Sequence, residues 1–345
     1  MRHALRSVLD LVFAVRPLLW IPAIALFAAG ESWGRAGGGP PSPARGVVAL
    51  GALLLLLGAV HLANGWRDRA GDRVNRKGRA VSSGAVSGRA LAILAIACLA
   101  GAVLLALHPS VGGASRALLA VAGLLGAAYV MPGVELKRRA GLDLLSHGIG
   151  YGVVAFLLGA STAGKAGPRV LEWIPALAAS APYAAGILAV AIVTMIADAD
   201  GDAASGQRTL AVRLGDARAW ALARGFTWAA LLAGLAVHEW IPALWGLLAA
   251  VMLSLRAPED AAGSGGTDGA GAANRCAILL QTMFLALLVP RAPGAALTAI
   301  GIAVISSAYG AWRWREAYPW NRLAARDRSA ASGSSEEVSA RRACT

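Results

Sequence analysis

Ten stretches of this chain are apolar for long enough to cross a bilayer, and that removes most of the folds otherwise open to 345 residues. They lie near 8–30, 46–65, 88–108, 111–132, 142–161, 174–197, 217–238, 240–256, 273–290 and 294–312. A hydrocarbon core is crossed by roughly 20 apolar residues in helical form, and backbone polar groups inside it must be satisfied within the segment. The expected fold class is therefore an all-α membrane protein, a bundle of nine or ten transmembrane helices. The mean hydropathy of +0.60 agrees with this. The 42 glycines do too, since small residues let helices approach closely in lipid.

The charged residues set the orientation. Arg67, Arg69, Arg73, Arg76, Lys77, Arg79 and Arg89 lie between the second and third runs, Lys137 to Arg139 between the fourth and fifth, and Arg208, Arg213 and Arg218 between the sixth and seventh. The intervening loops hold only Arg35 and Arg45, then Arg116, then Lys165 and Arg169, and later Arg291. By the positive-inside rule the first set faces the cytoplasm, and so does the N-terminus, which places a multi-pass protein in the cell (inner) membrane. The net charge of +13 follows topology rather than forming one basic face, so nucleic acid is not an expected partner. The N-terminus reads as a retained first helix rather than a cleaved leader, because Asp10, Arg16 and Pro17 interrupt its apolar run. Pro17 marks a kink there.

Residues 1–314 read as one transmembrane domain, with cytoplasmic motif loops at 64–89 and 198–215 and a flexible loop at 257–274; residues 315–345 read as a partly disordered cytoplasmic tail. Cys98, Cys276 and Cys344 are scattered and suggest neither a disulfide framework nor a zinc site.

Two acidic loops carry the chemistry. Asn64, Asp68 and Asp72 fall at i, i+4 and i+8, one face of a helix running past the membrane surface. Asp198 and Asp202 repeat the four-residue spacing with Asp200 between them. Both sets lie on the same predicted side, and two converging acidic faces repel unless cations lie between them. Mg²⁺ takes oxygen ligands and commonly binds through one or two carboxylates plus substrate phosphates. Basic neighbours suit a diphosphate, and Arg79, Lys137 and Arg208 are the candidates. Singly, each acidic cluster also reads as a solvated loop and each base as a topology charge; the paired siting favours function.

The stretches NGWRDRAGDRVNRKGRAVSSG and ADADGDAASGQRTLAVRLG resemble the UbiA superfamily of intramembrane prenyltransferases. Asn64, Asp68, Asp72, Arg79, Ser83 and Gly84 match its first signature, and Asp198, Asp202, Gly206, Thr209 and Leu210 its second; YVMPGVELKRR places Tyr129 and Lys137 in the intervening segment. Two departures stand out: Gly65 replaces the usual aspartate, and RAVSSG lacks the frequent proline pair.

The resemblance implies a bundle of nine helices around a central cavity, open sideways to lipid, that binds a polyprenyl diphosphate. Mg²⁺ held by Asn64, Asp68, Asp72, Asp198 and Asp202, with Arg79, Lys137 and Arg208, would draw charge from the diphosphate until the allylic C–O bond breaks. An apolar aromatic or isoprenoid acceptor, in quinone or other isoprenoid-lipid biosynthesis, would capture the cation. Tyr129 is a candidate to shield it. Asp143 and His147, at i and i+4, are candidates to orient the acceptor or take its proton, or else a helix cap and a backbone donor. His61 and Tyr151 read as core. A terpene cyclase and a non-catalytic transporter or phospholipid binder are the competing readings.

Overall fold

The computed structural model describes residues 2–36, 43–74, 79–163, 173–255, 276–277, 284–286 and 288–314. Among these, eight helices are long and apolar enough to cross a membrane, and a shorter apolar helix spans Trp240–Leu255. Most of 273–290, the whole of the 257–274 loop and the 315–345 tail lie outside the described residues.

The first crossing is broken. Helix α1 (Arg2–Ala14) ends at Arg16, whose φ of 58° and ψ of 59° are left-handed, and Pro17 opens the turn that leads into α2 (Trp20–Ala36). Proline cannot continue α1's hydrogen bonding, so the chain turns and α2 runs on through the bundle. Then follow α3 (Pro43–Arg67), the short α4 (Arg69–Val74) and α5 (Arg79–Ser82), α6 (Gly88–Ala106) and α7 (Gly113–Val130). The fifth crossing consists of α8 (Leu142–His147), a π-helical stretch over Gly148–Val154 and α9 (Ala155–Thr162). Helix α10 (Ile174–Ala204) is followed by α11 (Leu210–Leu214), α12 (Asp216–Ala236), α13 (Trp240–Leu255) and α14 (Pro293–Trp314).

Small residues set the packing. A Cβ on Gly30 would lie 1.9 Å from the Phe156 carbonyl oxygen, and one on Gly159 would lie 2.0 Å from that of Phe27, so α2 and α9 are locked backbone to backbone. Helix α10 runs through the centre, burying Tyr183, Ile192 and Val193, whereas α6 and α7 turn Ile93, Ile96, Leu104 and Leu124 outward, as lipid-facing helices do. Phe284 packs on Trp245 at 5.9 Å, and Arg291 pairs with Glu239 at 2.7 Å. The described pieces of 276–290 therefore run antiparallel to α13 before α14 returns. The far end of α14 meets α1, where Arg313 pairs with Asp10 at 2.9 Å, so the first and last described helices join at one end of the bundle.

Candidate active site

At that same end a cavity of about 300 Å³ opens between α3, α4, α7, α8 and α10. Its mouth carries Asn64, Asp68, Asp72, Asp198, Asp202, Lys137, Arg16 and Gln207; its inner wall is built by Leu53, Leu56, Leu57, Ile187, Val190 and Ala191. Polarity thus runs in one direction along a single cavity.

The two acidic motifs meet through their glycines. Each has glycine just before its last aspartate, Gly71-Asp72 and Gly201-Asp202. A Cβ on Gly71 would lie 3.1 Å from the Gly201 carbonyl oxygen and 3.2 Å from Ser205 Oγ. A side chain at Gly71 would be tighter than an ordinary contact, so the bare backbone lets α4 cross α10 closely, and the crossing turns both aspartate pairs to the same mouth.

Each acid of the first motif has a basic partner. Lys137, only 3% exposed, donates from Nζ to Asn64 Oδ1 at 2.8 Å and to Asp68 Oδ1 at 2.5 Å. Burial lowers the Lys137 pKa from the ordinary lysine value, and the neighbouring Asp68 carboxylate opposes that shift. Arg16 donates to Asp72 Oδ2 at 2.5 Å. On the second motif, Asp202 Oδ2 accepts from Thr209 Oγ1 at 3.2 Å. Among the described residues, no three His, Cys, Asp or Glu side chains are close enough to hold an ion on their own. The donors are nonetheless hard oxygens on both sides of one mouth. They fit a cation that takes part of its coordination from substrate phosphates, as Mg²⁺ commonly does.

Asp143 proves to be a tie between loops. Its Oδ1 accepts from the Gly141 and Leu144 amides at 2.8 and 2.7 Å, and its Oδ2 from the Leu210 amide at 3.1 Å. From the first turn of α8 it thus satisfies amides at that helix start and fastens the loop after α7 to the start of α11. His147 Nδ1 lies 2.8 Å from the Asp143 backbone oxygen, not its carboxylate. A carbonyl can only accept, so Nδ1 carries the proton and, in the neutral ring, Nε2 is left as an acceptor on a residue that lines the cavity.

Three positions lie elsewhere than the sequence suggested. Arg208 is exposed and does not line the cavity. After Gly206 turns the chain with φ +72°, residues 207–209 run extended, so Gln207 and Thr209 point inward and Arg208 outward, its backbone bridged to that of Arg139. Gln207 Nε2 reaches Asp68 Oδ1 at 3.4 Å, occupying the place expected of Arg208. His61 and Tyr151, read as core, both line the cavity. His61 Nδ1 lies 3.3 Å from the Val15 carbonyl, which leaves its Nε2 to accept from Tyr151 Oη at 2.9 Å. Tyr151 sits in the π-helical stretch, whose widened turn redirects side chains. The Tyr129 ring meets His147 edge-on at 5.4 Å. Arg16, noted in the sequence only for its kink, was missed as a mouth residue; a basic residue at a proline break on the same predicted side of the membrane as the acidic motifs was the available signal. The backbone of Arg79 opens α5, and its side chain lies outside the described residues.

The family profile of the UbiA prenyltransferases matches residues 18–258. The chain belongs to the UbiA prenyltransferase family. Two archaeal relatives are both digeranylgeranylglyceryl phosphate synthases. That of Natronomonas pharaonis is 31% identical over 234 residues, covering 64% of this chain and 79% of the relative. That of Halobacterium salinarum is 32% identical over 237 residues, covering 69% and 79%. The fold matches a UbiA homologue of Archaeoglobus fulgidus bound to GPP and Mg²⁺, with TM-score 0.61 and 17% identity over 81% of this chain and 99% of the other. It also matches a UbiA homologue of Aeropyrum pernix K1, with TM-score 0.58 and 19% identity over 78% and 96%. The chain is thus an integral membrane prenyltransferase of the UbiA family, and Tyr129, Lys137 and the four aspartates line its cavity.

Proposed function

We propose that this UbiA-family enzyme transfers a prenyl group from a polyprenyl diphosphate to a lipid-soluble acceptor, with Mg²⁺ as cofactor and the cavity mouth on the cytoplasmic side. One observation carries the reading: the four motif aspartates, Lys137 and Arg16 share one end of a cavity whose inner wall is built largely by Leu53, Leu56, Leu57, Ile187 and Val190.

Lys137 and Arg16 neutralise the diphosphate oxygens as the allylic C–O bond stretches, and Gln207 supplies a neutral donor beside them. Bound Mg²⁺ supplies Lewis-acid stabilisation of the leaving diphosphate, with Asn64, Asp68, Asp72, Asp198 and Asp202 as its candidate holders. Leu53, Leu56 and Ile187 seat the isoprenoid tail away from water. His61 lies one helical turn inward from Asn64 on α3, so the reacting carbon falls among Tyr129, His147 and Tyr151. The tyrosine rings face the allyl cation, and His147 Nε2 accepts the acceptor's proton.

The acceptor read from the sequence is an aromatic or isoprenoid compound. The names of the archaeal relatives favour a second reading, a prenylated glyceryl phosphate. The test is diphosphate release by the protein in lipid, supplied with farnesyl or geranylgeranyl diphosphate, with and without Mg²⁺, followed by product analysis with a phenolic acid or geranylgeranylglyceryl phosphate as acceptor. Metal-dependent release, lost in Asp68→Ala and Asp198→Ala, supports the reading, and the adduct formed chooses the acceptor class. Release indifferent to metal and to both substitutions refutes it; an acceptor-free cyclic hydrocarbon reassigns the enzyme to cyclisation.

A further inference from the structure

The family profile begins at residue 18 and ends at 258, yet two elements outside it, α1 and α14, meet beside the mouth. Asp10 on α1 is 2% exposed. Arg313 on α14 grips it as a fork, Nε to Oδ1 and Nη2 to Oδ2, both at 2.9 Å, and Tyr309 Oη donates to Oδ1 at 2.5 Å. Phe13 stacks on the Tyr309 ring with centroids 3.9 Å apart and planes 9° from parallel, and Arg6 lies over the Trp312 ring at 5.9 Å.

From this latch an unbroken chain of contacts leads to the cavity. The Arg16 amide donates to the Phe13 carbonyl at 3.1 Å, the Leu19 amide to the Arg16 carbonyl at 3.0 Å, and His61 holds the intervening Val15 carbonyl. Arg16 itself is left-handed, a conformation that costs a side-chain-bearing residue energy and persists only where the surroundings impose it. Its guanidinium reaches Asp72, and a Cβ on Gly65 would lie 3.9 Å from its Nη2. A bidentate arginine–carboxylate pair with a buried acid fixes orientation, not merely proximity.

We propose that Asp10, Tyr309 and Arg313 are positioning residues for Arg16: α14, the last described helix, acts through α1 to hold the left-handed elbow that aims this guanidinium at the diphosphate. This rests on the reading of Arg16 as a diphosphate contact.

The test measures the dissociation constant of farnesyl thiolodiphosphate, a slowly reacting analogue, with Mg²⁺ and the full chain in lipid nanodiscs. Arg16→Ala and Arg313→Ala are each expected to weaken binding on the order of tenfold, the scale of one charge-assisted contact. Arg313→Lys, which keeps the charge but not the fork, is expected to fall between wild type and Arg313→Ala. The double variant Arg16→Ala/Arg313→Ala is expected to bind no more weakly than Arg16→Ala, because the latch acts only through Arg16. Where Arg313→Ala does not fold, Asp10→Asn and Arg313→Lys take its place in the cycle. Wild-type affinity in the latch variants, or losses that add in the double variant, overturns the proposal. Wild type that binds the analogue but releases no diphosphate from farnesyl diphosphate refutes the transferase reading while the cycle still scores the latch; wild type that binds no analogue removes both.

Discussion

Two glycines of the first acidic motif are buried six residues apart, and opposite outcomes are expected when each becomes alanine. At Gly65 a methyl group finds room, its nearest neighbours being Arg16 Nη2 at 3.9 Å and a Val81 methyl at 4.0 Å. The change removes glycine's entropic handicap within a helix and is expected to stabilise the fold by about 0.5–1 kcal/mol. At Gly71 the methyl meets the Gly201 carbonyl oxygen at 3.1 Å and Ser205 Oγ at 3.2 Å. Ser205 can rotate, but a backbone oxygen inside α10 cannot, so α4 must move away by a few tenths of an ångström. Overpacking of this kind costs about 1–3 kcal/mol. It also parts Asp68 and Asp72 from Asp198 and Asp202, and a displacement of that size at a reacting centre is expected to lower turnover on the order of tenfold. Thermal unfolding of the two variants in nanodiscs, with diphosphate release in parallel, decides the matter. Gly71→Ala with wild-type stability and wild-type turnover refutes the argument that glycine-to-glycine contact holds the two acidic motifs in register.

Further expectations follow from individual contacts. Lys137 binds its acids and the diphosphate as an ammonium, the form present below its pKa; because burial lowers that pKa, the alkaline loss of diphosphate affinity should come at lower pH than for an ordinary lysine. Lys137→Arg should move that limb upward, as titration of affinity against pH would read. Asp143→Asn replaces one of two accepting oxygens with a donor facing backbone N–H groups, and is expected to cost about 1–3 kcal/mol, measured as lowered thermal stability. Gln207→Ala should weaken diphosphate binding several-fold while Arg208→Ala stays within about twofold of wild type, since only the first side chain enters the cavity.

The sequence was most informative where geometry is periodic. The membrane-length runs marked the crossings, and the four-residue spacing of Asp68 with Asp72 and of Asp198 with Asp202 put each pair on one helical face, as found. It failed where periodicity changes. Arg208 was a candidate as a basic neighbour of the acids, but the extended segment after Gly206 alternates sides and presents Gln207 instead. The π-helical insertion likewise altered what Tyr151 faces, so a residue read as packing lines the cavity. Asp143 was offered either as an acceptor-orienting acid or as a helix cap, and that one of its oxygens serves the Leu210 amide 67 residues away is a tertiary fact no spacing encodes. The same holds for Asp10 and Arg313, separated by 303 residues.

The ion pairs at the mouth carry an implication about affinity. Asp68 and Asp72 already have cationic partners in Lys137 and Arg16, so each carboxylate is balanced before any ligand arrives. Under the proposed reading, a dication alone would displace two cations and leave them unbalanced in a low-dielectric mouth, and a diphosphate alone would do the same to two carboxylates. Arriving together they permit an exchange of partners in which every charge stays matched. The affinities of metal and diphosphate are therefore tied reciprocally, each raising the other by the same factor. On this reading, either partner offered singly binds weakly at the mouth, and the two offered together bind well.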